Sequence, residues 1–284
     1  MLTSRRRWFL EIISIILFIL FLLPFFIVVI NAAKTNNLIT TDPLVLPENF
    51  SNLFSNMNKI WTSENIQFQS SFVSSIIITV VSLFFITIFS AMGAWVLVRH
   101  KTKASNVIFM IFVAAMVIPF QVVMFPLVSW FKQLTTWTQI PLLRNYIGMI
   151  FAYIGFGAPL SIFLFHGFIK SIPYELEEAA EIDGCNKVQM FLYIVLPILK
   201  PITITVLILN GIWIWNDFLL PLLILGKGNS IQTIPLAVAN FVGAFVREWD
   251  LILTAALMAM LPIVILFLFA QKHIIKGMVE GSIK

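Results

Sequence analysis

The polar residues that could carry chemistry in this 284-residue chain fall in two short stretches between long apolar runs. The first, from Tyr174 to Asp183, holds five carboxylates and no basic residue. Carboxylates in the first turn of a helix are stabilised by the helix dipole, and an exposed acidic helix offers complementary charge to a partner. We interpret this stretch as a docking surface for another protein. The alternative is an ordinary solvated helix beside the apolar runs.

The second stretch places a tryptophan among an amide and a carboxylate. Asn210, Trp213 and Asp217 are separated by three and then four residues, so they share one face of a helix, and Asn216 adjoins them. This combination suits a sugar, because ring faces stack on the indole while polar groups bond the hydroxyls. We predict that these four residues line a translocation path. The alternatives are hydrogen bonds from Asn210 and Asp217 to neighbouring helices, or an interfacial position for Asp217.

The sequence predicts neither a catalytic site nor a metal site. It has three scattered histidines and one cysteine, Cys185, and these give no nucleophile–base pair and no metal-ligand spacing. A nucleotide-binding loop needs glycine, four residues and then Gly-Lys-Ser/Thr. The Gly226-Lys227 pair is followed by Gly228, so it does not meet this pattern. We expect this chain to bind no cofactor.

The apolar runs that surround these stretches indicate a membrane protein. Mean hydropathy is +0.99 and only 11% of residues are charged, against about 25% in soluble domains. A spanning helix needs roughly 20 mostly apolar residues. The first run is too long for the core of a cleaved signal, so we expect it to be retained. We predict an all-α polytopic fold, one domain over 1–284, with six transmembrane helices at 8–30, 71–98, 106–129, 146–169, 199–225 and 251–271.

Basic residues give the orientation of these six spans. Twelve lysines and arginines fall on the side that carries both termini, and six fall on the other side. Because cytoplasmic loops are enriched in basic residues, we predict that both termini face the cytoplasm of a bacterial cell. The acidic stretch, within the cytoplasmic segment 171–197, then also faces the cytoplasm.

Local signals predict a helix–turn–helix in this cytoplasmic segment. Ser171 is a good N-cap for the first helix. Gly184 stands where that helix would end in a left-handed residue, a conformation that glycine adopts without steric cost. A second short helix should then run from about Asn186 to Leu196, before Pro197 breaks it.

The same segment carries a resemblance to a known family. The run Glu178-Ala179-Ala180, then Asp183-Gly184 and Leu196-Pro197, resembles the EAA loop of ABC importer permeases. In that family the loop forms a coupling helix that docks into a groove on the cytoplasmic ATPase. The resemblance therefore implies a type I ABC importer transmembrane domain. It also implies an ATPase-coupling role for Glu178, Ala179, Ala180, Asp183, Gly184, Leu196 and Pro197.

Other motifs resemble the carbohydrate, maltose-type branch of these permeases. They are Pro119-Phe120-Gln121, Ala158-Pro159 and Trp215-Asn216-Asp217-Phe218. The glycine-punctuated tail also resembles the end of the maltose-system permease, which reaches between the ATPase subunits. The resemblance implies the same contact here for Gly277, Gly281 and Lys284.

The resemblance also implies the assembly. We expect a permease subunit of a binding-protein-dependent sugar or oligosaccharide importer. Its partners would be a second homologous permease with six or more spans, two ATP-binding subunits that hold ATP and Mg²⁺, an external solute-binding protein and membrane lipid, with no nucleic acid. An importer of polyamines or peptides stays open. An ion-coupled carrier is disfavoured because Asp217 is a single buried acid without an evident charge partner.

Overall fold

The computed structural model describes residues 4–63, 67–244 and 248–281, and these ranges contain helices and no strands. The all-α prediction is therefore confirmed. The helices are α1 (Ser4–Ala32), α2 (Asn36–Thr41), α3 (Ser51–Thr62), α4 (Phe68–Arg99), α5 (Lys103–Ala115), α6 (Phe120–Thr138), α7 (Tyr146–Ile169), α8 (Glu175–Ile182), α9 (Lys187–Ile198), α10 (Lys200–Asn216), α11 (Leu219–Ile224), α12 (Ile234–Ala244) and α13 (Trp249–Gly281).

The apolar helices account for the predicted membrane spans. Within the described ranges, α1, α4, α7 and α13 are each long and apolar enough to cross a membrane. Two further pairs pass the same test together but are sharply bent, α5 with α6 by 106° and α9 with α10 by 76°. When each bent pair is counted as one span, the described residues hold six candidate spans by length and composition. The bend in the second pair lies at the start of the predicted window 199–225, so that window takes in α10 and leaves α9 in the predicted cytoplasmic segment 171–197.

The bend between α5 and α6 lies inside the predicted window 106–129, and a proline causes it. Helix α5 ends at Ala115, and Pro119 is the N-cap of α6. In a continuous helix the Pro119 ring would clash with the carbonyl of Ala115, four residues earlier, and would leave that carbonyl without a donor. The apolar window is therefore two helices meeting at an angle.

A second break interrupts the predicted window 199–225. Helix α10 ends at Asn216, and Asp217 has an extended backbone with ψ of 130°. Pro221 lies four residues beyond Asp217, so a continuous helix would bring its ring against the Asp217 carbonyl. The Asp217 Oδ1 atom instead accepts a hydrogen bond from the Leu219 N–H at 3.1 Å, which caps α11.

The chain divides into two compact units, of which the first comprises 1–69 and 237–262. In this unit the carbonyl of Ala32, at the end of α1, accepts hydrogen bonds from Asn56 at 3.5 Å and Thr254 at 3.3 Å. The ammonium group of Lys34 is buried and donates to the Asn31 side chain and to the carbonyls of residues 42 and 43. These bonds fasten the end of α1 to α3, to α13 and to the connection that follows α1.

The second unit comprises 70–236 and 263–284, and α7 packs against both α5 and α10 within it. Glycines allow this close packing. A Cβ atom on Gly157 would lie 2.6 Å from Ile86 Cδ1 and 2.9 Å from Asn210 Oδ1. A Cβ atom on Gly148 would lie 1.6 Å from the carbonyl oxygen of Leu142. Gly157 is thus a small residue at a helix crossing, which is typical of helix association in membranes, whereas Gly148 lies against the connection that precedes α7.

Candidate functional site

The first candidate site is the helix–turn–helix that leads out of α7. Its first helix, α8, begins at Glu175, so the prediction that Ser171 is the N-cap was wrong. The Ser171 hydroxyl donates to the carbonyl of Phe168 at 2.7 Å, and it completes the turn after α7. Pro173 explains the later start, because the residue before a proline is disfavoured in a helical conformation.

The turn after α8 has the conformation predicted for Gly184. This glycine has φ of +83°. The N–H of Cys185 donates to the carbonyl of Ala180 at 3.0 Å, and the N–H of Gly184 donates to that of Glu181 at 3.0 Å. These two bonds form a Schellman motif, which satisfies the last carbonyls of the helix. The turn is thus fixed by its own hydrogen bonds.

Helix α9 begins with a capping box and continues further than predicted. Asn186 and Gln189 exchange side-chain to backbone hydrogen bonds at 2.9 Å. The expectation that Pro197 breaks the helix was wrong, because the chain stays helical to Ile198 and bends beyond it. A π-helical turn at Phe191–Val195 widens the helix just before Pro197. In a regular α-helix the Pro197 ring would meet the carbonyl four residues earlier, and the wider turn makes room for it.

Helix α8 has one buried face and one exposed face. Glu177 and Ala180 are 3% and 2% exposed, whereas Ile182 is 86% exposed. The predicted coupling residues, which lie on α8, in the turn after it and on α9, differ in exposure. Ala180 is buried and Leu196 is half-buried, whereas the exposed members are Glu178, Ala179, Asp183, Gly184 and Pro197.

The interpretation of all five carboxylates as a docking surface was wrong for Glu177, which is buried. Its side chain accepts hydrogen bonds from Trp95 Nε1 at 3.0 Å and from Arg99 Nε at 2.7 Å. Both donors lie at the end of α4, so this carboxylate fastens α8 to a spanning helix. Glu181 is exposed and forms an ion pair with Lys187, and the hydrogen bond between them raises the pKa of the Lys187 ammonium above its usual value.

The second candidate site is the polar stripe of α10, and most of it packs against α7. Asn210 is 2% exposed, and its amide donates to Ser161 Oγ at 3.0 Å and to the carbonyl of Val206 at 2.9 Å. The Asp217 Oδ2 atom accepts a hydrogen bond from the Tyr153 hydroxyl at 3.2 Å. For Asn210 and Asp217 the structure therefore favours the alternative of hydrogen bonds between helices.

Trp213 is the predicted path residue that reaches an open space. It is 39% exposed, and its ring meets the Tyr153 ring edge-on with centroids 5.4 Å apart. It forms part of the wall of a cavity of about 530 Å³. Asn216 is exposed, and its amide donates to the carbonyl of Ile212 at 2.8 Å. The remaining walls come mostly from apolar residues of α5, α6 and α7, among them Trp130, Phe131 and Phe156.

Sequence reasoning missed the α7 residues that receive this stripe. Tyr153, Gly157 and Ser161 are four residues apart, and this spacing of small and polar residues in an apolar helix was the available signal. The predicted tail contact stays a prediction. Gly277 and Gly281 lie in the last turns of α13, and Lys284 lies outside the described residues.

Comparison with known proteins identifies the family. The family model described as "Binding-protein-dependent transport system inner membrane component" matches residues 89–280, which is more than half of the chain. The chain belongs to this family. The permease is therefore a multi-pass inner-membrane subunit of a binding-protein-dependent transport system, and the predicted resemblance is confirmed.

Two relatives match nearly the whole permease. One is the probable starch degradation products transport system permease protein AmyC of Thermoanaerobacterium thermosulfurigenes, 38% identical over 279 residues, 98% of this chain and 97% of that protein. The other is the melibiose/raffinose/stachyose import permease protein MelC of Bacillus subtilis, 35% identical over 263 residues, 92% of this chain and 91% of that protein.

A solved structure shows the same fold. It is a bacterial ABC transporter involved in the import of the acidic polysaccharide alginate, with a TM-score of 0.77 and 22% identity. The match covers 96% of this permease and 98% of the solved chain. The permease therefore has the fold of an ABC importer transmembrane domain.

Proposed function

We propose that this permease forms half of the translocation path of an ATP-driven oligosaccharide importer, and that α8 with the Gly184 turn receives the ATP-binding subunit. The coupling role is supported by one observation, which is that α8 has a buried face and an exposed face. One face is fastened to α4 through Glu177, while the opposite face is exposed at Glu178, Ala179 and Ile182. A helix built in this way can accept a partner on one side and pass force to the membrane helices on the other.

The exposed face has the chemistry of a protein docking surface. Glu178 and Asp183 offer carboxylates, and Ile182 is an apolar side chain that is 86% exposed. An exposed apolar anchor beside charged groups is typical of interface centres, since burying it on docking removes apolar area from water. Gly184 adds a surface without a side chain, so a partner's backbone can approach closely.

The proposal assigns ATP and Mg²⁺ to two partner subunits, one of which docks at this surface, because the sequence holds no nucleotide-binding loop. It places both termini in the cytoplasm, as the distribution of basic residues favours. A second permease of the same family completes the path, and an external solute-binding protein delivers the solute. The tail glycines Gly277 and Gly281, with Lys284, are proposed to extend the contact with the ATP-binding subunits.

The proposed substrate class is neutral oligosaccharides. The names of the relatives refer to starch degradation products and to melibiose, raffinose and stachyose. In this permease Trp213 and Trp130 present aromatic surface to the cavity, and such faces suit sugar rings. We assign Trp213 to the path and give Asn210 and Asp217 the task of holding α10 against α7 beside it. Asn216 is exposed and supplies an amide for sugar hydroxyls.

Co-purification tests this proposal. The tagged permease is solubilised from its native membrane, bound proteins are identified by mass spectrometry, and the preparation is reconstituted for uptake with ATP inside the vesicles. We expect an ATP-binding subunit and a second permease to be retained. Glu178→Lys combined with Ile182→Asp should release the ATP-binding subunit but keep the second permease. The matched control is Glu48→Lys, the same charge change in the exposed connection before α3.

Two results would contradict the proposal. If the permease purifies alone and still drives uptake without ATP, it is a carrier and not an ABC subunit. If the α8 double variant keeps the ATP-binding subunit as well as the Glu48→Lys control does, the docking surface lies elsewhere on the permease.

A further inference from the structure

The end of α4 is bonded to α8 through an ion pair between a half-buried arginine and a buried glutamate, which the sequence motifs do not indicate. Arg99, the last residue of α4, donates from Nε to Glu177 Oε1 at 2.7 Å, and Trp95, one turn earlier, donates to Oε2 at 3.0 Å. The side chains of Arg99 and Glu177 are 15% and 4% exposed. Both carboxylate oxygens are therefore held by one face of one spanning helix.

Arg99 also holds the connection that precedes α8. Its Nη2 atom donates to the carbonyl of Ile172 at 3.2 Å, and its guanidinium carbon lies 5.5 Å from the centre of the Tyr174 ring. The planar guanidinium group suits this arrangement, because it bonds in several directions while its face lies on an aromatic ring. One arginine thus fixes the exit from α7 and the first turn of α8 together.

Burial makes this connection rigid. A buried carboxylate that loses its donors stays without water, so a sliding movement of α8 along α4 would leave an uncompensated charge. The Glu181–Lys187 pair offers a contrast, since both of its side chains are exposed and water can replace either partner. A displacement of α8 relative to α4 would therefore cost more free energy at Glu177 than at the exposed Glu181–Lys187 pair.

We propose that Arg99 and Glu177 are positioning residues that make α4 move with α8 when the ATP-binding subunits close. This inference rests on the proposed function and deepens it, because it names the membrane helix that follows the coupling helix. Removing the pair should leave the ATP-binding subunit docked on the exposed face of α8. The closure of that subunit would then move α8 without moving α4.

The test measures ATP hydrolysis and sugar uptake in the same reconstituted vesicles. Glu177→Gln keeps the shape of the side chain but removes its charge. We expect it to retain most hydrolysis while the sugar imported per ATP falls at least about fivefold, the lower end of typical coupling factors. Arg99→Glu combined with Glu177→Arg should recover part of that ratio. Lys101→Gln, which removes an exposed cation two residues beyond Arg99, should behave as the unaltered protein does.

If the variants of Arg99 and Glu177 do not fold, the distance between α4 and α8 can be measured instead in an active complex that keeps both residues. Cys185 is the chain's only cysteine and adjoins the Gly184 turn, so it is replaced by serine, and Lys101→Cys with Leu176→Cys gives one label after α4 and one on α8. Electron paramagnetic resonance should report the same distance with and without ATP. A distance that changes with ATP would overturn the inference, as would variants that lower hydrolysis and uptake in equal proportion or alter neither. Loss of ATP dependence in the unaltered complex would instead refute the proposed function.

Discussion

Gly184 gives the most exact test of the coupling helix, because the structure separates its conformation from its size. The residue has φ of +83°, and a Cβ atom added there meets nothing within 4 Å. Gly184→Ala therefore adds no clash, and its whole effect comes from forcing a left-handed backbone on a residue with a Cβ atom. That conformation costs about 1–2 kcal/mol. The population of the correct turn should fall by a factor of about 5–30.

Three substitutions at Gly184 separate the effect of backbone conformation on coupling from the effect of side-chain size. Gly184→Asn should be milder than Gly184→Ala, since asparagine is the next residue after glycine to occupy this turn position. Gly184→Leu should be the most damaging, because it adds bulk to the surface where a partner's backbone approaches. All three should insert in the membrane normally. The assay is ATP-dependent sugar uptake by the reconstituted complex, with stimulated ATP hydrolysis measured on the same vesicles.

The ranking can fail in two informative ways. If Gly184→Ala and Gly184→Asn are both fully active and only Gly184→Leu is impaired, bulk decides the outcome and the left-handed turn does not. If all three transport and stimulate hydrolysis as the unaltered permease does, the turn has no part in coupling.

Further predictions concern the membrane helices. Gly148→Ala should prevent correct folding, since its Cβ atom would lie 1.6 Å from a backbone oxygen of Leu142 that cannot yield, and a detergent-phase melting curve should show no native transition. Asp217→Ala should lower the free energy of unfolding by about 0.5–2 kcal/mol, because α11 loses its cap, and should leave assembly intact. An unaltered melting temperature and unaltered uptake would contradict the capping role. Trp213→Ala should weaken uptake while Tyr153→Phe, which keeps the supporting ring, alters it far less; equal effects would remove Trp213 from the path.

The general fold follows from the sequence because hydrophobic runs and helix signals are local. The six apolar windows overlap α1, α4, α5 with α6, α7, α10 with α11, and α13, and the left-handed glycine of the turn is predicted by its place after an acidic helix. The break at Asp217 was also available in principle, since Pro221 stands four residues later and excludes a regular helix there. Signals of this kind need no knowledge of distant residues.

The pairing of Glu177 was not available from local pattern. Its partner Arg99 lies 78 residues earlier in the chain. The neighbouring Glu178 is also a glutamate, but its side chain is exposed. Whether a carboxylate is exposed or bonded depends on which helix packs beside it, and that is decided by the tertiary structure. The same limit applies to Asn210, because the spacing along α10 does not reveal that its amide bonds to Ser161.

The π-helical turn at Phe191–Val195 places a constraint on chimeras between importers. Each residue of an α-helix turns the following chain by about 100°, because 3.6 residues complete one turn. A π-helical turn contains about one residue more than an α-helical turn, so it takes up an extra residue that would otherwise rotate α10 by about that angle and carry Asn210 away from Ser161. A coupling segment exchanged between importers must therefore either keep the π-helical turn together with its extra residue or lose both. The π-helical turn thus preserves the rotational position of the membrane helix α10 relative to the cytoplasmic helix α9.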